Sequence, residues 1–482
     1  MLFDPSFGTA SQAAHAIRAG VISSRELVEH TFKRIKRLNP RINAFITLIE
    51  EQAVQQARMA DDALASGNNR GRLHGVPILV KDTFATAGVR TTYGSKNLKT
   101  YVPKEDSVAV ARLKKAGAII IGKTNTPPFG GDHQTFNDVA GTTNNPWDPA
   151  RTPGGSTGGG AAALAAGLGF LEVGSDLGGS IRSPAHFCGL YGHKTTFDVV
   201  PRAGPRLPGE PIVALDNLWV VGPMARSAQD LQLELEIIGG PAPSDAVAYR
   251  WNLPPARGTR LKDYRIGYIV TDPFCPPTWE VKEVISSAVE ALRKQGAQLR
   301  EGWPRGIDPQ RCFEDYFFLL LNSNHQSEED RHRVRDSRKG LDDFYSGKIR
   351  EALSAPHTEW TVRDGSRLRA RAIWQEYFRT CDAFLMPAHF VPAFPHAQQE
   401  SWRDRKIDTP EGKRDYSDVL RWVSLPTLTG CPATVAPAGR TKQGLPVGIQ
   451  IMGPFLEDAT PIALAGLIGD ALGGFEPPPG YV

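Results

Sequence analysis

Cysteine is scarce and shows no pairing pattern. Five thiols in 482 residues, Cys188, Cys275, Cys312, Cys381 and Cys431, are odd in number, far apart and without a CxxC pair. That spacing argues against a disulfide framework and against a structural zinc site. No set of His, Cys and carboxylate residues has metal-ligand spacing, so neither a metal nor any other cofactor is expected. Long hydrophobic runs are missing too: the longest low-polarity stretch, 158–170, is short and rich in Ala and Gly. It falls well under the ~20 residues that span a bilayer. Residues 1–20 lack a basic segment followed by an apolar one, so the reading is of a soluble, cytoplasmic protein without a membrane partner. Neither sign of charge dominates, with 56 basic against 52 acidic residues. The one basic cluster, 33–37, falls on an amphipathic helical pattern and makes a solvated face, so nucleic acid is not an expected partner.

What is present is an ordinary globular balance, 40% apolar and 22% charged, in a chain long enough to bury a large core. Helical periodicity runs through 13–18 and 25–38, with Ser11 or Ser24 available as caps and Asn39-Pro40 as the stop. Helix is expected to continue over 42–66. The texture then changes. Apolar runs of strand length at 76–80 and 118–121 flank a helical stretch at 107–115, and a helix at 161–166 precedes a strand at 169–173. Strands at 433–437 and 446–452 close the chain. Apolar strands alternating with helices predict an α/β fold, a central sheet buried on both faces. Between about 241 and 392 charge rises and aromatics cluster, among them Trp303, Phe313, Tyr316, Phe317, Trp360 and Trp374. These pack as helix faces on the sheet or line a pocket for an apolar or aryl substrate.

Two motifs mislead. Gly117 to Thr124 matches GxxxxGK[ST], but its intervening residues, Ala-Ile-Ile-Ile, read as strand rather than as a loop able to wrap a phosphate. Gly154-Gly155-Ser156-Thr157-Gly158 matches the GxSxG elbow, which needs a strand directly before it; residues 144–153 read as a turn-rich loop.

A third constellation makes chemical sense as a set. Lys81 ends the strand at 76–80, Ser156 sits in a run of glycines and hydroxyl residues, and Ser180 lies in Asp176-Leu177-Gly178-Gly179-Ser180-Ile181-Arg182. Amide hydrolysis needs a nucleophilic hydroxyl, a base and donors for an oxyanion. Gly178 and Gly179 clear side chains from where backbone amides must approach a substrate. If Ser180 opens a helix through Phe187, those amides also carry its positive end. Only His186 offers an imidazole nearby, which makes lysine the candidate base. Asp176 and Arg182 are read as a structural ion pair. Cys188 is read as a buried hydrophobe.

On these residues the chain resembles the amidase signature family. The run Gly154 to Gly160, the run Gly174-Ser-Asp-Leu-Gly-Gly-Ser-Ile-Arg-Ser-Pro184, and Phe187-Cys188-Gly189 to Gly192-His193-Lys194 carry the resemblance. So do Gly75-Val-Pro-Ile-Leu-Val-Lys-Asp82, Gly122 to Thr126 and Gly444 to Gln450. It covers roughly 5–240 and 380–482. Thr157, His193 and Thr195 depart from the usual pattern without touching the catalytic three. The resemblance implies an amidase signature fold, a mixed central sheet covered by helices on both faces. The chain is then a single domain over 1–482, its core at about 65–240 plus 380–482 and a variable, helix-rich, substrate-shaping region at about 241–380. It implies Ser180 as nucleophile, Ser156 as a cis-serine relay, Lys81 as base, and the amides of Leu177, Gly178, Gly179 and Ser180 as oxyanion hole. The family shapes its pocket with 129–136 and the variable region, so Phe129, Gly130, Gly131, Asp132 and Tyr316 are the expected substrate contacts.

To act as a base near pH 7, Lys81 must lose roughly three units from its reference pKa, about 4 kcal/mol, which burial can supply. The implied activity is hydrolysis of amides, carbamates or esters, of the aryl acylamidase or urethanase kind, on a small-molecule substrate and with room for a homodimer. The alternative is the glutaminase subunit of a tRNA-dependent amidotransferase. Against that alternative, Thr126-Pro127-Pro128-Phe129-Gly130 resembles the free amidases and not the Met-Asp-Glu-Phe run of that subunit.

Overall fold

The computed structural model describes residues 3–202, 204, 217–325 and 327–482. Its strands are β1 (Phe45–Leu48), β2 (Pro77–Lys81), β3 (Ile119–Thr124), β4 (Phe136–Asn137), β5 (Gly141–Thr142), β6 (Leu171–Asp176), β7 (Tyr191–Lys194) and β8 (Val220–Ala225). They continue with β9 (Arg265–Tyr268), β10 (Gln298–Glu301), β11 (Ala383–Pro387), β12 (Lys406–Thr409), β13 (Gly412–Asp415), β14 (Ala433–Arg440) and β15 (Pro446–Met452). Eleven of them form one sheet in the order β1-β3-β2-β6-β8-β7-β14-β15-β11-β9-β10, while β12–β13 and β4–β5 are separate hairpins. The sheet is mixed: β2 runs parallel to β3 and β6, and β9 parallel to β10 and β11, with antiparallel pairs elsewhere. This is the expected α/β architecture.

The parallel pair matters most for function. Because β2 and β6 run the same way, Lys81 at the end of β2 and the loop after Asp176 at the end of β6 emerge at one edge of the sheet. Carboxyl ends of parallel strands are where open α/β sheets gather their ligand-binding loops.

Several elements differ from the sequence expectation. The second helix, Ser24–Ile42, runs through Pro40 instead of stopping before it. Its buried stripe, Leu27, Val28, Thr31, Phe32, Ile35 and Leu38, continues to Ile42, so packing carries the last turn past a proline whose missing N–H costs one bond. The caps are Thr9 and Ser23, each in a reciprocal capping box, and not Ser11 or Ser24. The segment 42–66 is not one helix: β1 interrupts it and pairs antiparallel with β3 before the helix Glu50–Ala65 begins. The four residues Phe45-Ile46-Thr47-Leu48 between helical patterns carry too little periodicity to be told from helix. Among the described residues the region 241–380 holds five α-helices, from Trp279–Lys294 to His357–Tyr377, yet it also lends β9 and β10 to the end of the main sheet. Among the described residues no helix is long and apolar enough to cross a membrane.

Candidate active site

All five residues of β2 are buried, Lys81 among them. Its Nζ donates to Ser156 Oγ at 2.7 Å and to Ser175 Oγ at 2.9 Å. Burial pulls the amine down from 10.5 to about 7, against the opposing pull of the Glu172 and Asp176 carboxylates. That is the displacement a lysine base requires. Glu172, one strand over on β6, accepts from Thr124 Oγ1 at 2.7 Å and is itself pushed up to about 8 by burial.

Ser156 sits in the loop before the helix Gly158–Ala165, and the Gly155–Ser156 peptide is cis. Gly155 tolerates no side chain: a Cβ there would lie 2.7 Å from the Asp132 carbonyl oxygen. Thr126 Oγ1 donates to the Ser156 carbonyl at 2.9 Å, and the Thr157 N–H donates to the Ser180 carbonyl at 3.1 Å. The second contact ties the Ser156 loop to the Ser180 loop.

The Ser180 loop is built around Asp176. Its carboxylate accepts from the N–H groups of Gly179 and Ile181 at 3.0 and 3.1 Å, and from the Arg182 guanidinium at 2.7 Å. Burial alone would raise Asp176, but the Arg182 guanidinium holds it at about 2. Gly179 has φ +92, a conformation that favours glycine. Arg182 goes on to Val423 O, Gln450 Oε1 and Thr427 Oγ1, so this buried pair is the structural brace expected of it. Asp176→Asn leaves Arg182 short of its counter-charge and should cost about 3 kcal/mol of stability, measured by urea unfolding. An unchanged midpoint would contradict the brace.

Two expectations for this loop need correction. The helix begins at Arg182, not at Ser180. Of the four amides assigned to the oxyanion hole, that of Gly179 is engaged by Asp176, because the same turn that aims the loop folds it onto its capping carboxylate. Among the described residues no hydrogen bond engages the N–H of Leu177, Gly178 or Ser180. His186 is no rival base, since Gly448 N–H donates to its Nδ1 at 2.9 Å and its Nε2 lies 3.1 Å from Val391 O.

The expected substrate contacts divide. Phe129 is 59% exposed, and Gly130 lies against Ser156, where a Cβ would stand 3.2 Å from Oγ. Gly131 is exposed in the same turn. Asp132 is not free to bind: Oδ1 accepts from Tyr416 Oη at 2.6 Å and from Gln134 N at 3.1 Å, and Oδ2 from Arg405 at 2.7 Å. Tyr316 is fully buried and donates to the Leu177 carbonyl at 3.0 Å, so it holds the loop from behind. Phe313 and Phe317, on the same helix Pro309–Asn324, pack with Phe274, Phe344 and Tyr345 and are core. Of the two readings open to the aromatic cluster, packing or a pocket lining, Phe313 and Phe317 follow the first. Sequence reading missed Ser175, although it lay inside the quoted run. His133 lay within the 129–136 stretch expected to shape the pocket but was not singled out; Leu420 and Val423, which with it crowd Gly178 and Gly179, come from some 240 residues downstream and give no local signal. Lys123 of the phosphate-loop match is buried in β3 and donates to the Phe84 carbonyl and to Thr91 Oγ1.

A family profile described as Amidase matches residues 26–461. A glutamyl-tRNA(Gln) amidotransferase subunit of Thermus thermophilus is 34% identical, covering 92% of this chain and 94% of its own. Its counterpart in Bdellovibrio bacteriovorus is 32% identical, covering 94% and 95%. A solved structure described as an amidase superposes with a TM-score of 0.78 at 26% identity, over 96% of this chain and 100% of the other.

Proposed function

The chain belongs to the amidase family, the amidase signature enzymes, and from that premise we propose that it hydrolyses a C–N acyl bond through an acyl-enzyme on Ser180, with Ser156 as relay and Lys81 as base. The observation that carries this reading is the 2.7 Å hydrogen bond between Lys81 and Ser156, made by an amine that burial brings to about 7. Ser180 Oγ attacks the acyl carbon as its proton passes to Ser156 and that of Ser156 to the Lys81 amine. The amides of Leu177, Gly178 and Ser180 receive the oxyanion. Collapse of the intermediate breaks the C–N bond, and the relay returns a proton to the departing nitrogen. Water then attacks the acyl-enzyme by the same route.

For the substrate, the relatives named as components of an amidotransferase support a glutaminase-type reading better than an aryl-amide one. In it the chain releases ammonia from a carboxamide as one component of a larger enzyme. The aryl acylamidase and urethanase readings lose their argument with the burial of Phe313 and Phe317. One observation favours a stand-alone amidase: Thr126-Pro127-Pro128-Phe129-Gly130 resembles the free amidases and not the Met-Asp-Glu-Phe run of the amidotransferase subunit.

The purified chain, assayed by itself on glutamine and on 4-nitroacetanilide, separates the two. Faster release from glutamine supports the glutaminase reading, and faster release from the anilide supports the stand-alone enzyme. Hydrolysis of either that survives Ser180→Ala removes the proposed chemistry.

A further inference from the structure

We propose that His133 is a specificity-determining substrate contact: its neutral imidazole offers a hydrogen bond to an uncharged polar atom, a hydroxyl, carbonyl or amide, on the acyl half of the substrate. The inference rests on the Ser180 reading above. His133 stands beside the nucleophile loop, since a Cβ on Gly178 would lie 3.2 Å from its Cε1. The residue is partly exposed, yet its ring Nδ1 is buried with no hydrogen-bond partner among the described residues. A buried imidazole nitrogen without a partner is unusual in a folded protein and asks for an explanation such as a ligand. Tyr416, the nearest ring at 6.0 Å, supplies an aromatic edge and no hydrogen bond to it.

The side chains on either side of His133 are anchored. Asp132 is clamped between Arg405 and Tyr416, the residues that flank the β12–β13 hairpin. Gln134 pairs both ways with the backbone of Ala397, donating at 2.6 Å and accepting at 3.0 Å. The backbone from Asp132 to Gln134 rests on Gly155, within 2.8 Å of where a Cβ would stand. An unpartnered imidazole on so fixed a mount is preorganised to recognise a ligand, which lowers the ordering cost of binding. Burial pulls His133 down to about 4, against Asp132 and Asp176, so at neutral pH it carries one N–H donor and one free acceptor and no charge.

The test uses two isosteric substrates, glycolyl-4-nitroanilide and propionyl-4-nitroanilide, which differ by a hydroxyl for a methyl. The parent chain should favour the glycolyl compound in kcat/KM. His133→Phe should lower kcat/KM for it about tenfold, through KM, while the propionyl compound changes less than about twofold; His133→Asn, which keeps a donor and an acceptor, should recover part of the preference. Circular dichroism confirms that both variants fold. Equal losses on both substrates, or no change on either, overturn the proposal while leaving the Ser180 chemistry standing. A parent preference that persists in Ser180→Ala overturns that chemistry and the inference with it. A parent inert on both anilides overturns the inference alone, since the Ser180 chemistry is then read from release of ammonia from glutamine and its loss in Ser180→Ala.

Discussion

Ser180→Ala should abolish turnover. Ser180 carries its hydroxyl on the loop that holds the free amides of Leu177 and Gly178, and its carbonyl is tied to the Ser156 loop through Thr157. Removing a serine nucleophile that acts as one unit with its base costs roughly four to six orders of magnitude in kcat. Folding should be spared, because the exchange removes one hydroxyl from a residue that is 8% exposed and leaves Asp176 and Arg182 untouched. Ser156→Ala and Lys81→Ala should lose less on activated esters, whose leaving groups need little protonation. Parent-like hydrolysis of 4-nitroacetanilide by Ser180→Ala would show the nucleophile to lie elsewhere.

The second large effect is on pH dependence. Lys81 works as a base only when neutral, and burial brings it to about 7. The neutral fraction therefore grows tenfold per unit as pH rises below that value, and levels off above it. kcat/KM should follow, with an acid limb centred near pH 7. Lys81→Met keeps the apolar stem in its buried slot and removes the base. It should lower kcat/KM on an anilide by roughly two to four orders of magnitude, the range of general-base catalysis, and flatten the acid limb. Glu172 belongs to the same balance. Burial pushes it up to about 8 while the Lys81 charge pulls it down, so each of the two buried groups opposes the other's shift. An acid limb that persists in Lys81→Met at the same midpoint would assign it to another group.

Much of this site was legible in the sequence because it is made of short runs at the ends of strands. Lys81 follows a strand that reads as one, and the glycines around Ser156 and Ser180 announce backbone that must come close to something. The mixed α/β sheet was legible for the same reason, since β2, β3, β14 and β15 are apolar runs bounded by turns. What failed was whatever depends on a contact that exists only once the chain is folded, distant or near. Asp132 looked like a free carboxylate until Arg405 and Tyr416, more than 270 residues away in the chain, were seen to hold both of its oxygens. Phe313 and Phe317 had the spacing of a face, and only their neighbours made that face core. The Gly179 amide looked available because nothing in a sequence says that Asp176, three residues earlier, turns back onto it. Pro40 looked like a stop because its local cost is readable, whereas the burial of Ile42 that outweighs it is not.

The central claim is that the acyl group passes through Ser180, and a trapped intermediate tests it most directly. The chain is mixed with 4-nitrophenyl acetate, quenched in acid during the burst and digested, and its peptides are weighed. The account predicts one acetyl group on the peptide containing Ser180, localised to that residue, and none in Ser180→Ala. Acetyl carried by another residue, with Ser180 unmodified, would contradict it.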